Sequence, residues 1–210
     1  MSNAIRIHSF PLSGHSHRVV LFANLAGINH VVEDVDLPGG AHKTDEFLAK
    51  NPAGQVPVIE DGETIISDSN AILIYLARKY APDYIPNDPV GEAEVQKFLS
   101  LAAGEVAFGP AAARLINVFN APRDRAFAHE TAAKVLGKLD AHLEGRDWLV
   151  GSGLTIADVA IYSYTALAPE GDVSLAPYPN VSRLLANIEA LDGFVPMKSS
   201  PVGLNAGQAA

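Results

Sequence analysis

The stretch IRIHSFPLSGHSHRVVLFANLAGINHVVEDVD, residues 5–36, changes period twice. Ile5, Ile7 and Ser9 alternate with Arg6, His8 and Phe10, which is a strand pattern. From Ser16 to Ala26 the apolar residues Val19, Val20, Leu21, Phe22 and Leu25 recur at helical spacing. Gly27 follows where a left-handed cap belongs. His30–Asp36 then reads as a second strand. Strand, helix and strand make a βαβ unit, and its crossover sets the two strands parallel.

Beyond this unit, Leu37–Lys43 is a loop holding Gly39-Gly40, and Thr44 caps a short helix that ends near Asn51. Val56–Glu60 and Thr64–Ser67 flank Asp61-Gly62, a pair that favours a tight hairpin. Ser67, Asp68 or Ser69 caps the next helix, which carries Ile72, Leu73, Tyr75, Leu76 and Tyr80. The order βαβ, short helix, ββα fits a thioredoxin-like α/β layer over residues 1–81.

Pro82, Pro86 and Pro89 mark residues 82–90 as a linker. After it the strand signals stop, and residues 91–195 read as an all-α bundle. Pro89 behind Asp88 opens a helix running through Phe98, Leu99, Leu101, Val106, Leu115 and Phe119. Gly104 and Gly109-Pro110 are expected to bend or break it. Arg123–Leu143 is a second helix. Thr155-Ile156-Ala157-Asp158 resembles a capping box and starts a buried helix, Val159–Leu167. Asn180 is expected to cap a further helix through Leu184, Leu185, Ile188 and Leu191. The Gly-, Ser- and Ala-rich tail, 196–210, is expected to be loosely ordered.

The composition narrows the function. The 210 residues carry 15 Lys+Arg against 24 Asp+Glu, a net charge of −9, so a nucleic-acid partner is not expected. Hydrophobic residues make up 48% and charged residues 19%, a globular rather than a disordered balance. There is no cysteine, which excludes disulfides, thiolate metal sites and a cysteine nucleophile. Any sulfur chemistry must use a thiol brought in by a ligand. Met1-Ser2-Asn3-Ala4-Ile5-Arg6 lacks the apolar core of a secretory signal, and no apolar run approaches the roughly 18–20 residues of a membrane span. The default expectation is therefore a soluble, cytoplasmic protein.

His15-x-His17 has the look of a metal pair, but residues two apart on a helix do not share a face, so no metal is expected. Ser13-Gly14-His15-Ser16 is not a nucleophile elbow, which needs Gly-x-Ser-x-Gly. Neither phosphate-binding glycine loop is present, which disfavours nucleotide cofactors.

Four segments together resemble the cytosolic glutathione transferase family, in its serine-type and phi-like form, and the likeness covers nearly the whole chain. They are Pro11–Val19 with Ser13, Ala41–Pro52 with His42-Lys43, Asn51–Ile59, and Ser67-Asp68-Ser69-Asn70-Ala71-Ile72. The resemblance implies a thioredoxin-like N-terminal domain, an all-helical C-terminal domain and a homodimer. It implies glutathione as co-substrate, with no tightly bound cofactor. It also implies a cis Val56-Pro57 bond that turns the Val56 main chain toward the cysteinyl residue of the tripeptide.

Glutathione offers two carboxylates, an amine and a thiol. The resemblance assigns the γ-glutamyl carboxylate to Ser69 at a helix N-terminus, where free amides favour an anion. Asp68, where the family more often has Glu or Gln, receives the amine. His42, Lys43 and Gln55 face the glycyl carboxylate. Ser13 is the candidate for the thiol, with Ser16 as its rival. A plain N-cap or turn is the bland use of Ser13, Asp68 and Ser69, and a solvated pair is that of His42-Lys43. Arg18 braces the turn or tunes the thiolate, or else forms a structural salt bridge.

A thiol with a pKa of about 8.5 needs roughly 2.7 kcal/mol of preference for the anion to drop by two units. A hydrogen bond to a charged acceptor supplies about 1.5–3 kcal/mol. A helix N-terminus adds about 0.3–1 kcal/mol. Ser13 therefore needs only to donate. Leu12, Phe108, Arg114, Leu115 and Phe119, with Phe194 and Met197, are the candidates for the pocket of a small hydrophobic electrophile, although apolar residues at helical spacing are usually core.

The expected activity is thiolate attack on a small electrophile or peroxide. The alternatives are a glutathione-dependent disulfide reductase or isomerase, or a non-catalytic glutathione-binding regulatory module. Lacking cysteine, the chain cannot form the mixed disulfide of the family's cysteine-type classes.

Overall fold

The computed structural model describes residues 4–207. Met1–Asn3 and the last three residues of the expected loose tail lie outside the described residues. Four strands, β1 (Ile5–Ser9), β2 (His30–Asp34), β3 (Val58–Asp61) and β4 (Thr64–Ser67), form one sheet in the order β2-β1-β3-β4. β1 and β2 are parallel, as the crossover requires, and the other two pairings are antiparallel. In the register Ile7 faces Val32 and Ile59, and Ile59 faces Ile66.

Helices α1 (Gly14–Leu25) and α3 (Ser69–Tyr80) bury Leu21, Phe22, Ile72, Leu73 and Leu76 in one core with Ile5, Ile7 and Ile59. The short α2 (Asp45–Lys50), capped by Thr44, closes a separate cluster of Val35, Phe47 and Val58. The sheet with its helices is the thioredoxin-like layer. α1 starts two residues earlier than the apolar period suggests, because Ser13 caps it and accepts from the Ser16 amide.

A 3₁₀ turn at Pro82–Tyr84 leads to α4 (Pro89–Leu101), capped by Asp88. Near Gly104 and Gly109-Pro110 the helix does not break: it widens into a π-helical segment, Ala102–Ala111, with Pro110 inside, and continues into α5 (Ala112–Phe119). Gly109 is needed there, since a Cβ would lie 2.7 Å from the Ala132 amide nitrogen. This 31-residue run is apolar enough by composition to cross a membrane, against the expectation from the sequence. Half of its most apolar window is buried in the bundle, and Glu105 in its middle pairs with Lys138 at 2.7 Å.

The remaining helices are α6 (Arg125–His142), α7 (Ile156–Ala166) and α8 (Pro179–Glu189). α7 is mostly apolar and is buried on every side from Ile156 to Thr165, as the central helix of a bundle must be. It packs against both α1 and α4, so it joins the two layers. Its capping box is complete: Thr155 Oγ1 accepts from the Ala157 amide, and the Asp158 carboxylate accepts from the Thr155 N–H.

Two expectations are corrected. Asn180 does not cap α8: Tyr178 holds that position, Pro179 is the first helical residue, and the Asn180 amide donates to Asp140 Oδ1 at 2.7 Å. The tail is also docked rather than loose over its described part. Met197 is buried, Ser200 N donates to Glu170 Oε1 at 2.6 Å, and Gly203–Asn205 forms a 3₁₀ turn. Gly203, at φ +59°, presses against the carbonyls of Pro169 and Glu170, where no side chain fits.

Candidate active site

The strand-to-helix turn after β1 faces the helical layer across a cleft of about 580 Å³. Leu12, Ser13, His42, Gln55 and Val56 line it from the α/β side, and Leu115, Phe119 and Tyr164 from the helical side. Phe10 tilts against Phe119 at 6.4 Å between ring centroids. Ser13 Oγ accepts from Ser16 N at 3.2 Å, so its own hydrogen is left to donate elsewhere. The cap function and a donor function therefore coexist in one hydroxyl.

Ser16, the rival, is corrected by burial: it is fully enclosed, its Oγ accepts weakly from Phe10 N at 3.4 Å, and it does not line the cleft. Gly14 is required between them. A Cβ there would lie 2.6 Å from the Tyr164 ring, which packs over the first turn of α1.

A smaller recess of about 250 Å³ continues the cleft past Gln55, Val56 and Pro57 to Asp68 and Ser69. The Val56-Pro57 bond is cis. Asn51 is buried and pins this loop, donating to Gln55 O at 2.8 Å and accepting from Ala53 N at 3.1 Å. Asp68 caps α3 through Oδ1, which takes the amides of Asn70 and Ala71 at 2.9 and 3.0 Å. Its φ of +72° lies in a sparsely populated region that costs about 1–3 kcal/mol.

Arg18 is wholly buried. Its Nη1 donates to Ser69 Oγ at 2.9 Å and to Asn70 Oδ1 at 2.7 Å, while Nε and Nη2 have no partner. These are neutral acceptors, so the salt-bridge expectation is corrected. Burial pushes the guanidinium pKa down to about 10. Asn70 in turn donates to Leu99 O at 2.9 Å, fixing the start of α3 to α4.

His42 lines the main cleft and leaves Nδ1 buried without a partner. Lys43 sits beside it with Nζ against Gly54 and is exposed. On the helical side a second lobe of about 560 Å³ runs between Phe108, Leu115 and Phe127. Three pocket candidates are corrected. Arg114 is fully buried, with Nε 2.6 Å from Glu170 Oε2, and does not line either lobe. Phe194 packs edge-on to Tyr162 at 5.7 Å and Met197 is buried with the tail, and neither lines the cleft or the lobe.

The two histidines that look like a metal pair diverge. His17 is sealed between Ser163 Oγ at 2.9 Å and Val195 O at 2.8 Å. His15 meets Ser69 Oγ at 3.1 Å and lines the cleft, the lobe and the recess. His15 and Tyr164 are the site residues the sequence reading missed. The only sequence signal for His15 was its place in the first turn after Ser13; Tyr164 gave none, because its partner Gly14 is 150 residues away.

The described residues match two family profiles, "Glutathione S-transferase, N-terminal domain" over 12–79 and "Glutathione S-transferase, C-terminal domain" over 110–192. Glutathione S-transferase 3 of Zea mays is 30% identical over 202 residues, covering 90% of this chain and 91% of its own. A glutathione S-transferase from Pseudomonas fluorescens Pf-5 superposes with a TM-score of 0.88 at 29% identity, covering 94% of this chain and all of the other. A second family member from the same organism, solved with two glutathione bound, has a TM-score of 0.82 at 25% identity, covering 90% of each chain.

Proposed function

The chain belongs to the glutathione S-transferase family, and on that footing we propose that the Ser13 hydroxyl donates a hydrogen bond to the sulfur of bound glutathione, holding it as a thiolate. The thiolate attacks a small hydrophobic electrophile or peroxide held between the lobe at Phe108 and Leu115 and the cleft wall at Phe119. A new bond forms to sulfur, and the leaving group departs with its electron pair. Stabilising the anion before the attack is the main catalytic contribution.

The observation that carries this reading is the free hydrogen of Ser13 Oγ. Its oxygen accepts from Ser16 N, which leaves the hydrogen unused, it stands at the N-terminus of α1, and it lines the cleft. The tripeptide lies along the loop: the Val56 main chain pairs with the cysteinyl residue, and Pro57 shapes that approach. Ser69 receives the γ-glutamyl carboxylate, and the Asp68 oxygen not used in capping receives the amine. His42, Lys43 and Gln55 hold the glycyl carboxylate. The protein works as a cytoplasmic homodimer with no resident cofactor.

The test is glutathione titration, followed by the ultraviolet absorbance of the bound thiolate against pH, in wild type and Ser13→Ala. The expected result is a bound-thiol pKa about two units below the free value of about 8.5, with at least one unit lost in Ser13→Ala. No saturable binding, or an unshifted thiol, overturns the reading.

A further inference from the structure

His15 stands where three spaces meet, the thiol cleft, the electrophile lobe and the recess at Ser69. Its Nδ1 faces Ser69 Oγ at 3.1 Å, and its ring meets Tyr164 edge-on at 5.1 Å. Nε2, on the far side of the ring, has no hydrogen-bond partner among the described residues. Burial, helped by Arg18, pushes the imidazole pKa down to about 4, so near neutral pH the ring carries one proton.

The hydrogen-bond capacity of Ser69 decides where that proton sits. A guanidinium only donates, so one lone pair of Oγ belongs to Arg18 at all times. One hydrogen and one lone pair remain. While the Ser69 hydrogen points at His15, Nδ1 must accept and the ring proton is on Nε2. Once the Ser69 hydrogen turns to a carboxylate, only the lone pair faces His15, and only Nδ1–H can meet it.

We propose that His15 changes from the Nε2–H to the Nδ1–H tautomer when a carboxylate occupies Ser69, so that the loaded site alone presents a hydrogen-bond acceptor at Nε2. One proton leaves Nε2 for solvent and one joins Nδ1, with no change of charge. The electrophiles this favours carry an O–H or N–H beside the reacting atom, hydroperoxides being the simplest. The inference rests on the carboxylate placement at Ser69 given above.

The test is long-range proton–nitrogen NMR of the full chain with nitrogen-15-labelled histidine, with and without glutathione, the His15 signals being assigned from their loss in His15→Phe. The expected result is a protonated Nε2 in the free protein and a protonated Nδ1 at saturation. Saturable binding with an unchanged tautomer overturns this inference alone. Absence of binding overturns the functional reading and this inference with it. Steady-state rates give a second readout. In His15→Phe, kcat/KM for an alkyl hydroperoxide falls about tenfold further than for a donor-free aryl halide, the worth of one hydrogen bond. An equal fall for both substrates overturns the acceptor role.

Discussion

Arg114 Nη1 donates to the carbonyl oxygen of Leu12 at 2.9 Å, so a buried guanidinium of the helical layer holds the residue just before Ser13. The same side chain is paired through Nε with Glu170, which is equally buried and takes Ser200 N on its other oxygen. An ion pair, the turn that carries Ser13 and the tail are thus one connected unit.

Removing one partner of this pair leaves the other charge buried. Arg114→Met is expected to lose about 3–5 kcal/mol of unfolding free energy, measured by chemical denaturation. The double variant Arg114→Met/Glu170→Leu recovers most of that loss. It does not recover activity, because Leu12 O still lacks its donor. Full activity in the double variant would show that Arg114 matters to folding alone.

Asp158 does more than close a capping box. Its carboxylate accepts from Leu149 N at 2.8 Å, Thr155 N at 2.8 Å and Thr155 Oγ1 at 2.9 Å. Losing a cap costs about 1 kcal/mol. Leaving a second buried amide unpaired adds about 1–3 kcal/mol. Asp158→Ala is therefore expected to lose about 2–4 kcal/mol in a thermal or denaturant melt, with kcat/KM preserved at a temperature where the variant is folded.

The pH dependence of stability separates two buried groups. Burial lowers the His17 pKa from 6.5 to about 4, so the unfolded chain binds more protons between those values. Its contribution is lost as pH falls through that window, by up to about 3 kcal/mol. Asp158 runs the other way, since burial raises its pKa from 3.8 to about 6 and acid favours its folded form. The difference between wild type and His17→Asn isolates the histidine. The stability advantage of wild type should shrink from pH 6.5 to pH 4, and a gap independent of pH would refute it.

The parts of the fold legible in the sequence are those governed by neighbours along the chain. The period changes at residues 5–36, the Asp61-Gly62 turn, Pro89 behind Asp88 and the Thr155–Asp158 spacing each act over a few residues, and each appears as expected. The misreadings share a different cause. Asn180 has a cap's chemistry, but its amide is satisfied by Asp140, 40 positions earlier. Arg114 has the polarity of a pocket residue, but Glu170 neutralises it from 56 positions away. Ser13 and Ser16 are alike in type and differ in burial, which a linear pattern does not carry. The tail has a flexible composition, yet a single buried carboxylate gives it a dock.

The contacts on either side of Ser13 bear on how such a protein can be recombined. Leu12 is held by Arg114 and Gly14 is pressed by Tyr164, so both chain neighbours of the hydroxyl answer to the helical layer. A chimera that grafts this α/β layer onto a foreign bundle exchanges more than a substrate pocket. It also resets the position of the Ser13 hydroxyl, so on the proposed role of Ser13 substrate range and intrinsic reactivity are inherited together, and the boundary between the two layers is a poor place to cut.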